Sequence, residues 1–62
     1  MFTVFEAYSG IPVYFAYTKE QAENWILDQI EAIDGRKIYR TWSEDGYDWY
    51  DVGKVYKVKY ED

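Results

Sequence analysis

TKEQAENWILDQIEAI, Thr18 to Ile33, is the stretch on which the fold turns. Thr18 followed three residues later by Gln21 fits a capping box, in which the threonine hydroxyl and the glutamine side chain each satisfy a backbone N–H at the helix start. The spacing predicts a helix that begins at Lys19 and runs to about Ile33. Ala22, Trp25, Ile26, Gln29, Ile30 and Ile33 recur three and four residues apart and form one apolar stripe, interrupted by Gln29. Asp34-Gly35 follows as the stop, since Gly35 can take the left-handed conformation that closes a helix. Away from the stripe lie Glu20, Asn24, Leu27 and Glu31, flanked by Glu23 and Asp28. The acids near the start complement the helix dipole, whereas Glu31 and Asp34 oppose it at a cost of about a few tenths of a kcal/mol each.

The residues before the helix supply something for that stripe to cover. Phe2 to Tyr8 and Ile11 to Tyr17 are rich in aromatic and β-branched side chains, with Ser9-Gly10 between them, and read as a hairpin. If Tyr8 lies opposite Ile11, Glu6 faces Val13, Val4 faces Phe15 and Phe2 faces Tyr17. One face then gathers Phe2, Val4, Ile11, Val13 and Phe15 and is the expected core. Thr3, Phe5, Ala7, Pro12, Tyr14 and Ala16 fall on the other. Pro12 has no N–H to give a ladder, so the second strand is expected either to lie at an edge or to begin with that position unpaired.

After the helix, Arg36 to Trp42 reads as a third strand and Ser43-Glu44-Asp45-Gly46 as a turn. Tyr47 to Val52 is a fourth strand, and Val55 to Tyr60 is the last, beyond a turn or bulge at Gly53-Lys54. The expected fold is a small α+β domain of order ββαββ, an antiparallel sheet packed against one helix, with a fifth strand if the middle segment divides at Gly53. At 62 residues it holds one domain.

Composition narrows the functional classes. The chain has three Trp, eight Tyr and three Phe, no His and no Cys, and a formal charge of -5. Without Cys there is no disulfide framework and no thiolate metal site, and without His a zinc site would need carboxylates alone. The common Ser-His and Cys-His nucleophile pairs are likewise missing, and Ser9 and Ser43 are explained by turns. The expectation is therefore a protein that is not an enzyme and takes no cofactor or metal. The absence of a basic leader or a long apolar run leads us to expect a cytoplasmic protein without a membrane partner.

Three surfaces stand out. EDGYDWYD, Glu44 to Asp51, sets Tyr47, Trp49 and Tyr50 among Asp45, Asp48 and Asp51, a pattern suited to aromatic anchors with acids steering a basic protein partner. The same residues also suit a plain hairpin with Trp49 in the core. Glu20, Glu23, Asn24, Leu27 and Glu31 form a competing protein-binding surface on the helix, where the acids would imitate phosphate charges or simply solvate it. Arg36, Lys37, Arg40, Lys57 and Lys59, with Tyr39, Tyr56 and Tyr60, point to single-stranded nucleic acid, against the acidic balance of the whole chain. Tyr14, Leu27 and Trp42 are candidates for a homodimer contact that would enlarge a small core.

The aromatic hairpin, the TKEQAENW helix start and the basic-aromatic final strand together resemble small accessory proteins encoded by bacteriophages. That resemblance implies binding to, and inhibition of, a host enzyme or nucleic-acid-binding protein in the host cytoplasm. It carries no active-site residue to this chain.

Overall fold

The computed structural model describes residues 1–30 and 38–61. Five strands and one helix follow in the order β1 (Phe2–Glu6), β2 (Pro12–Ala16), α1 (Lys19–Leu27), β3 (Arg40–Glu44), β4 (Tyr47–Asp51) and β5 (Val55–Tyr60). The strands form one antiparallel sheet in the order β2-β1-β5-β4-β3, so the first and last strands pair at its middle. The expected α+β sheet-and-helix architecture is what the chain adopts, with the middle segment dividing at Gly53 to give the fifth strand.

Helix α1 starts where the capping box places it. Thr18 sits in extended geometry and its Oγ1 accepts from the Gln21 N–H at 3.1 Å, while Gln21 Oε1 accepts from the Tyr17 and Thr18 N–H groups. Its end comes sooner than the apolar spacing predicts. The backbone N–H of Gln29 turns to the Ile26 carbonyl, and its side-chain amide donates to the Trp25 carbonyl, the acceptor a continuing helix would have used. Asp28 is thus the C-cap. The expected continuation to Ile33 and the Asp34-Gly35 stop lie outside the described residues.

Ala22 and Ile26 are fully buried and Trp25 and Ile30 pack at the margin, as the stripe requires. Leu27 joins them in contact with the core instead of facing outward. The helix lies on one face of the sheet over Val4, Ala16, Tyr50, Tyr56 and Val58. Trp25 stacks on Tyr14 and meets Tyr56 edge-on, closing the core with aromatic rings.

The N-terminal hairpin departs from the expected register by one residue. Phe2 pairs with Ala16, Thr3 with Phe15 and Val4 with Tyr14, and a bulge then sets Phe5 against Pro12. Glu6 is the cause. Its carboxylate accepts from the N–H groups of Tyr8 and Ser9 and from the Ser9 hydroxyl, and its own N–H donates to the Ile11 carbonyl. Ala7 to Ile11 become a loop in place of a two-residue turn. The Ser9 hydroxyl, then the Ser9 N–H, hold the Glu6 carboxyl below its ordinary pKa. Because side chains alternate, a slip of one residue exchanges the faces. Tyr14 and Ala16 turn to the helix, whereas Ile11, Val13 and Phe15, expected in the core, are exposed.

The C-terminal half shows the opposite economy, a turn fixed entirely by local chemistry. Asp45 and Gly46 both have positive φ, 54° and 80°, the pair of left-handed residues that a two-residue type I′ hairpin needs. That turn sets Glu44 against Tyr47, Ser43 against Asp48 and Trp42 against Trp49. It also moves β3 later than expected, to Arg40–Glu44, with Ile38 and Tyr39 ahead of it and Arg36 and Lys37 outside the described residues.

Candidate binding face of the sheet

With α1 over one face, alternation sends a defined set of residues to the other. Thr3 and Phe5 come from β1, Val13 and Phe15 from β2, Lys57 and Lys59 from β5, Tyr47, Trp49 and Asp51 from β4, and Arg40, Trp42 and Glu44 from β3. No helix among the described residues covers this side.

The rings on this face are arranged by their neighbours. Trp42 and Trp49, opposite one another across the Asp45-Gly46 hairpin, stack with centroids 5.9 Å apart and planes 11° from parallel. Trp49 Nε1 donates to the Glu44 carbonyl at 2.9 Å, which fixes the indole orientation. Tyr47 meets Trp49 edge-on and Phe5 edge-on from the other side, carrying the aromatic row from β3 to β1. Cations lie over the row. Lys57 Nζ is 4.6 Å from the Tyr47 ring centre and 5.4 Å from that of Trp49, Lys59 Nζ is 5.4 Å from Tyr47, and the Arg40 guanidinium is 5.4 Å from Trp42. Beyond Phe5 the character changes to mainly apolar, where Met1, Thr3, Phe5, Pro12 and Phe15, with Glu61 at one side, line a shallow hollow of about 550 Å³.

The residues singled out in EDGYDWYD do not share a surface. Tyr47, Trp49 and Asp51 lie on the open face, and Asp45 is in the turn. Asp48 and Tyr50 point to the helix side. Tyr50 is a core residue, 5% exposed, and its hydroxyl donates to Glu23 Oε1 at 2.6 Å. Burial, then that carboxylate, push the Tyr50 phenol well above its usual pKa. The acids are engaged as well. Asp48 pairs with Lys19 Nζ at 2.9 Å and accepts from the Ser43 hydroxyl, and Asp51 pairs with Arg40 at 3.0 Å. The Lys19 hydrogen bond is the largest influence lowering the Asp48 carboxyl, and the Arg40 hydrogen bond has the same place for Asp51.

The helix surface is likewise divided. Glu20 and Asn24 are exposed, Glu23 is held by Tyr50, Leu27 packs on the core, and Glu31 lies outside the described residues. Lys19, Glu23, Tyr39, Ser43, Asp48 and Tyr50 line a polar cleft of about 340 Å³ between α1 and the β3-β4 hairpin. Among the basic residues, Arg40, Lys57 and Lys59 converge on the open face, while Arg36 and Lys37 are not described. Their expected aromatic companions do not join them. Tyr56 is buried under the helix, Tyr60 packs edge-on against Phe2 on the helix side, and Tyr39 precedes β3.

Phe5, Phe15 and Trp42 complete the open face and were not expected there as a group. For Trp42 the signal was present: a two-residue turn at Asp45-Gly46 requires Trp42 to oppose Trp49. For Phe5 and Phe15 it was hidden by the register of the first hairpin. Among the described residues no three acids gather as a metal site would require, and no helix is long and apolar enough to cross a membrane. Comparison with protein-family models, with curated proteins and with solved structures finds no match to this chain.

Proposed function

We propose that the chain is a non-catalytic protein-binding module that docks its partner on the open face of the sheet. The observation that carries this reading is the Trp42, Trp49, Tyr47 and Phe5 row, continuous with the mainly apolar hollow at Phe15 and without a covering element among the described residues. Interfaces are enriched in just these residue types, and rings already fixed by their neighbours lose little entropy on binding. Tyr47 and Trp49 are the anchors in this reading. Tyr50 is not one, and Asp48 and Asp51 serve the fold through Lys19 and Arg40. The lysines beside the anchors favour a partner with an apolar centre and acidic rim at this face. A basic partner fits the outer helix surface around Glu20 and Asn24. Inhibition of a host enzyme or nucleic-acid-binding protein is the biological form that the likeness to small phage proteins suggests.

Single-stranded nucleic acid is the second reading, favoured by Lys57 and Lys59 beside Tyr47 and Trp49, where a phosphate and a base would be met together. One comparison separates them. Pull-downs from nuclease-treated host lysate are run with the wild type and with a folded Trp49→Ala/Lys57→Glu variant, and the captured protein is then titrated in purified form. Saturable binding lost in the variant supports the protein reading. Binding only to a labelled single-stranded oligonucleotide, weakening steeply with salt, replaces it with the second.

A further inference from the structure

The outer edge of β2 differs in charge from the other described parts of this molecule. Twelve consecutive residues, Ala7 to Thr18, carry no charge, in a chain whose residues are 31% charged and whose net charge is -5. Val13 and Phe15 turn to the open face at 41% and 59% exposure, and Ile11 and Tyr17 are exposed at either end. Exposed sheet edges are ordinarily blunted by charged side chains, as β3 is by Arg40 and Glu44 at the far side of this sheet. Strand β2 has only Pro12 at its first residue.

Among the described residues, no strand pairs with the backbone of that edge. Glu61 donates to the Met1 carbonyl and Ala7 to the Val55 carbonyl, so odd-numbered residues of β1 turn their polar groups to β5. The even-numbered ones turn to β2, as the Glu6 bond to Ile11 shows. Tyr14 and Ala16, opposite Val4 and Phe2, therefore spend their backbone groups on β1, and Phe15 between them directs its N–H and C=O outward. No described strand meets them. The next outward N–H, that of Tyr17, is taken by Gln21 Oε1 at 3.1 Å, which limits the free edge to the segment centred on Phe15.

We infer that a second copy of this chain pairs antiparallel with the outer edge of β2, forming a two-fold dimer with Phe15 at the axis and carrying the sheet on across it. Charge decides the occupant. Most other surfaces of so acidic a chain would set like charges together when two copies meet, whereas β2 against β2 sets neutral against neutral. The pairing is also self-complementary: Phe15 faces its own counterpart, and Val13 of each copy faces Tyr17 of the other, so exposed apolar residues meet exposed apolar residues. The two open faces become one continuous surface. This dimer does not depend on what, if anything, docks there.

Analytical ultracentrifugation from micromolar to near-millimolar concentration tests it. The wild type is expected to dimerise reversibly, Phe15→Lys to remain monomeric with an unchanged far-UV spectrum, and Thr41→Lys on the opposite edge to dimerise as the wild type does. Because the chain lacks cysteine, Phe15→Cys provides a readout that stands even if the lysine variant does not fold. Mild oxidation should link it to its counterpart many-fold faster than it links Glu20→Cys on the exposed side of α1. A wild type that stays monomeric, a dimer retained in folded Phe15→Lys or lost in Thr41→Lys, or equal linking of the two cysteine variants overturns the proposal. So does a monomer that pairs its β2 edge only with an added neutral peptide.

Discussion

The Tyr50 hydroxyl donates to Glu23 Oε1 at 2.6 Å, joining β4 to α1 across 27 positions of sequence. The helix otherwise packs chiefly on β2 and β1, so among the described residues this bond and the Lys19–Asp48 pair beside it are its polar ties to the C-terminal half of the sheet. Tyr50→Phe keeps the buried ring and removes only the donor. It should cost about 1.5–3 kcal/mol, as removal of a hydrogen bond to a charged acceptor does. Urea unfolding followed by tryptophan fluorescence would measure the loss, and adding Glu23→Gln should cost little more if the pair acts as a unit.

The same tyrosine sets an alkaline limit. Its phenol titrates above the unfolded value of 10.0, so the folded state holds this proton more tightly. The associated stability is fully present below pH 10 and declines as pH rises further, when the unfolded chain releases the proton first. Tyr50→Phe should flatten that part of the decline. A pH series of denaturation midpoints on the two proteins would show whether it does.

On the acid side the sign reverses. Asp48 and Asp51 have folded pKa values lowered by Lys19 and Arg40, and Glu6 by Ser9. Their contribution is present above the ordinary carboxylate value and is lost as pH falls through the lowered ones. The Lys19–Asp48 pair is partly exposed, with side chains 48% and 37% accessible, so removing it by Lys19→Met should cost no more than about 1 kcal/mol at neutral pH. That difference should vanish in strong acid, and raising the salt should shrink it.

Two turns of chain test the local determinants. Thr18→Ala removes the cap that accepts from Gln21 and should destabilise by about 1 kcal/mol, seen as reduced thermal stability and fraying of the first turn. Gly46→Ala places a Cβ at φ +80° and should cost about 1 kcal/mol despite open space around it. Hydrogen exchange should show that loss first in the β3-β4 pairing.

These two turns also mark how far the residues alone specify the molecule. The helix start is legible because Thr18 and Gln21 lie within four residues of one another; the β3-β4 register has determinants as local, Asp45 and Gly46, but taking all of Ser43–Gly46 as the turn ended β3 at Trp42 and missed it. The helix end is not legible, because it depends on whether the Gln29 side chain or its backbone takes the Trp25 carbonyl, and the apolar spacing is silent on that choice. The first hairpin fails for a similar reason. Ser9-Gly10 is a credible two-residue turn until the Glu6 carboxylate gathers the N–H groups of Tyr8 and Ser9, after which Val13, Tyr14, Phe15 and Ala16 change sides. The candidate face inherits both outcomes. Tyr47, Trp49, Lys57 and Lys59 were visible as chemistry, but reading EDGYDWYD as a contiguous patch counted Tyr50 and Asp48, which period-two alternation sends to the helix.

The pairing of β1 with β5 gives the sheet a mechanical character. Phe2 lies opposite Tyr60 and the Met1 ammonium donates to the Glu61 carbonyl at 3.1 Å, so residues at opposite ends of the chain leave the central seam side by side. Tension applied through those residues pulls across the strands and loads the hydrogen-bonded pairs one after another, from Phe2–Tyr60 inward, instead of shearing them together. The middle of the sheet, buried and aromatic as it is, should therefore open like a zip under a small force, whereas tension applied along β1 and β5 from opposite ends would meet all of its bonds at once.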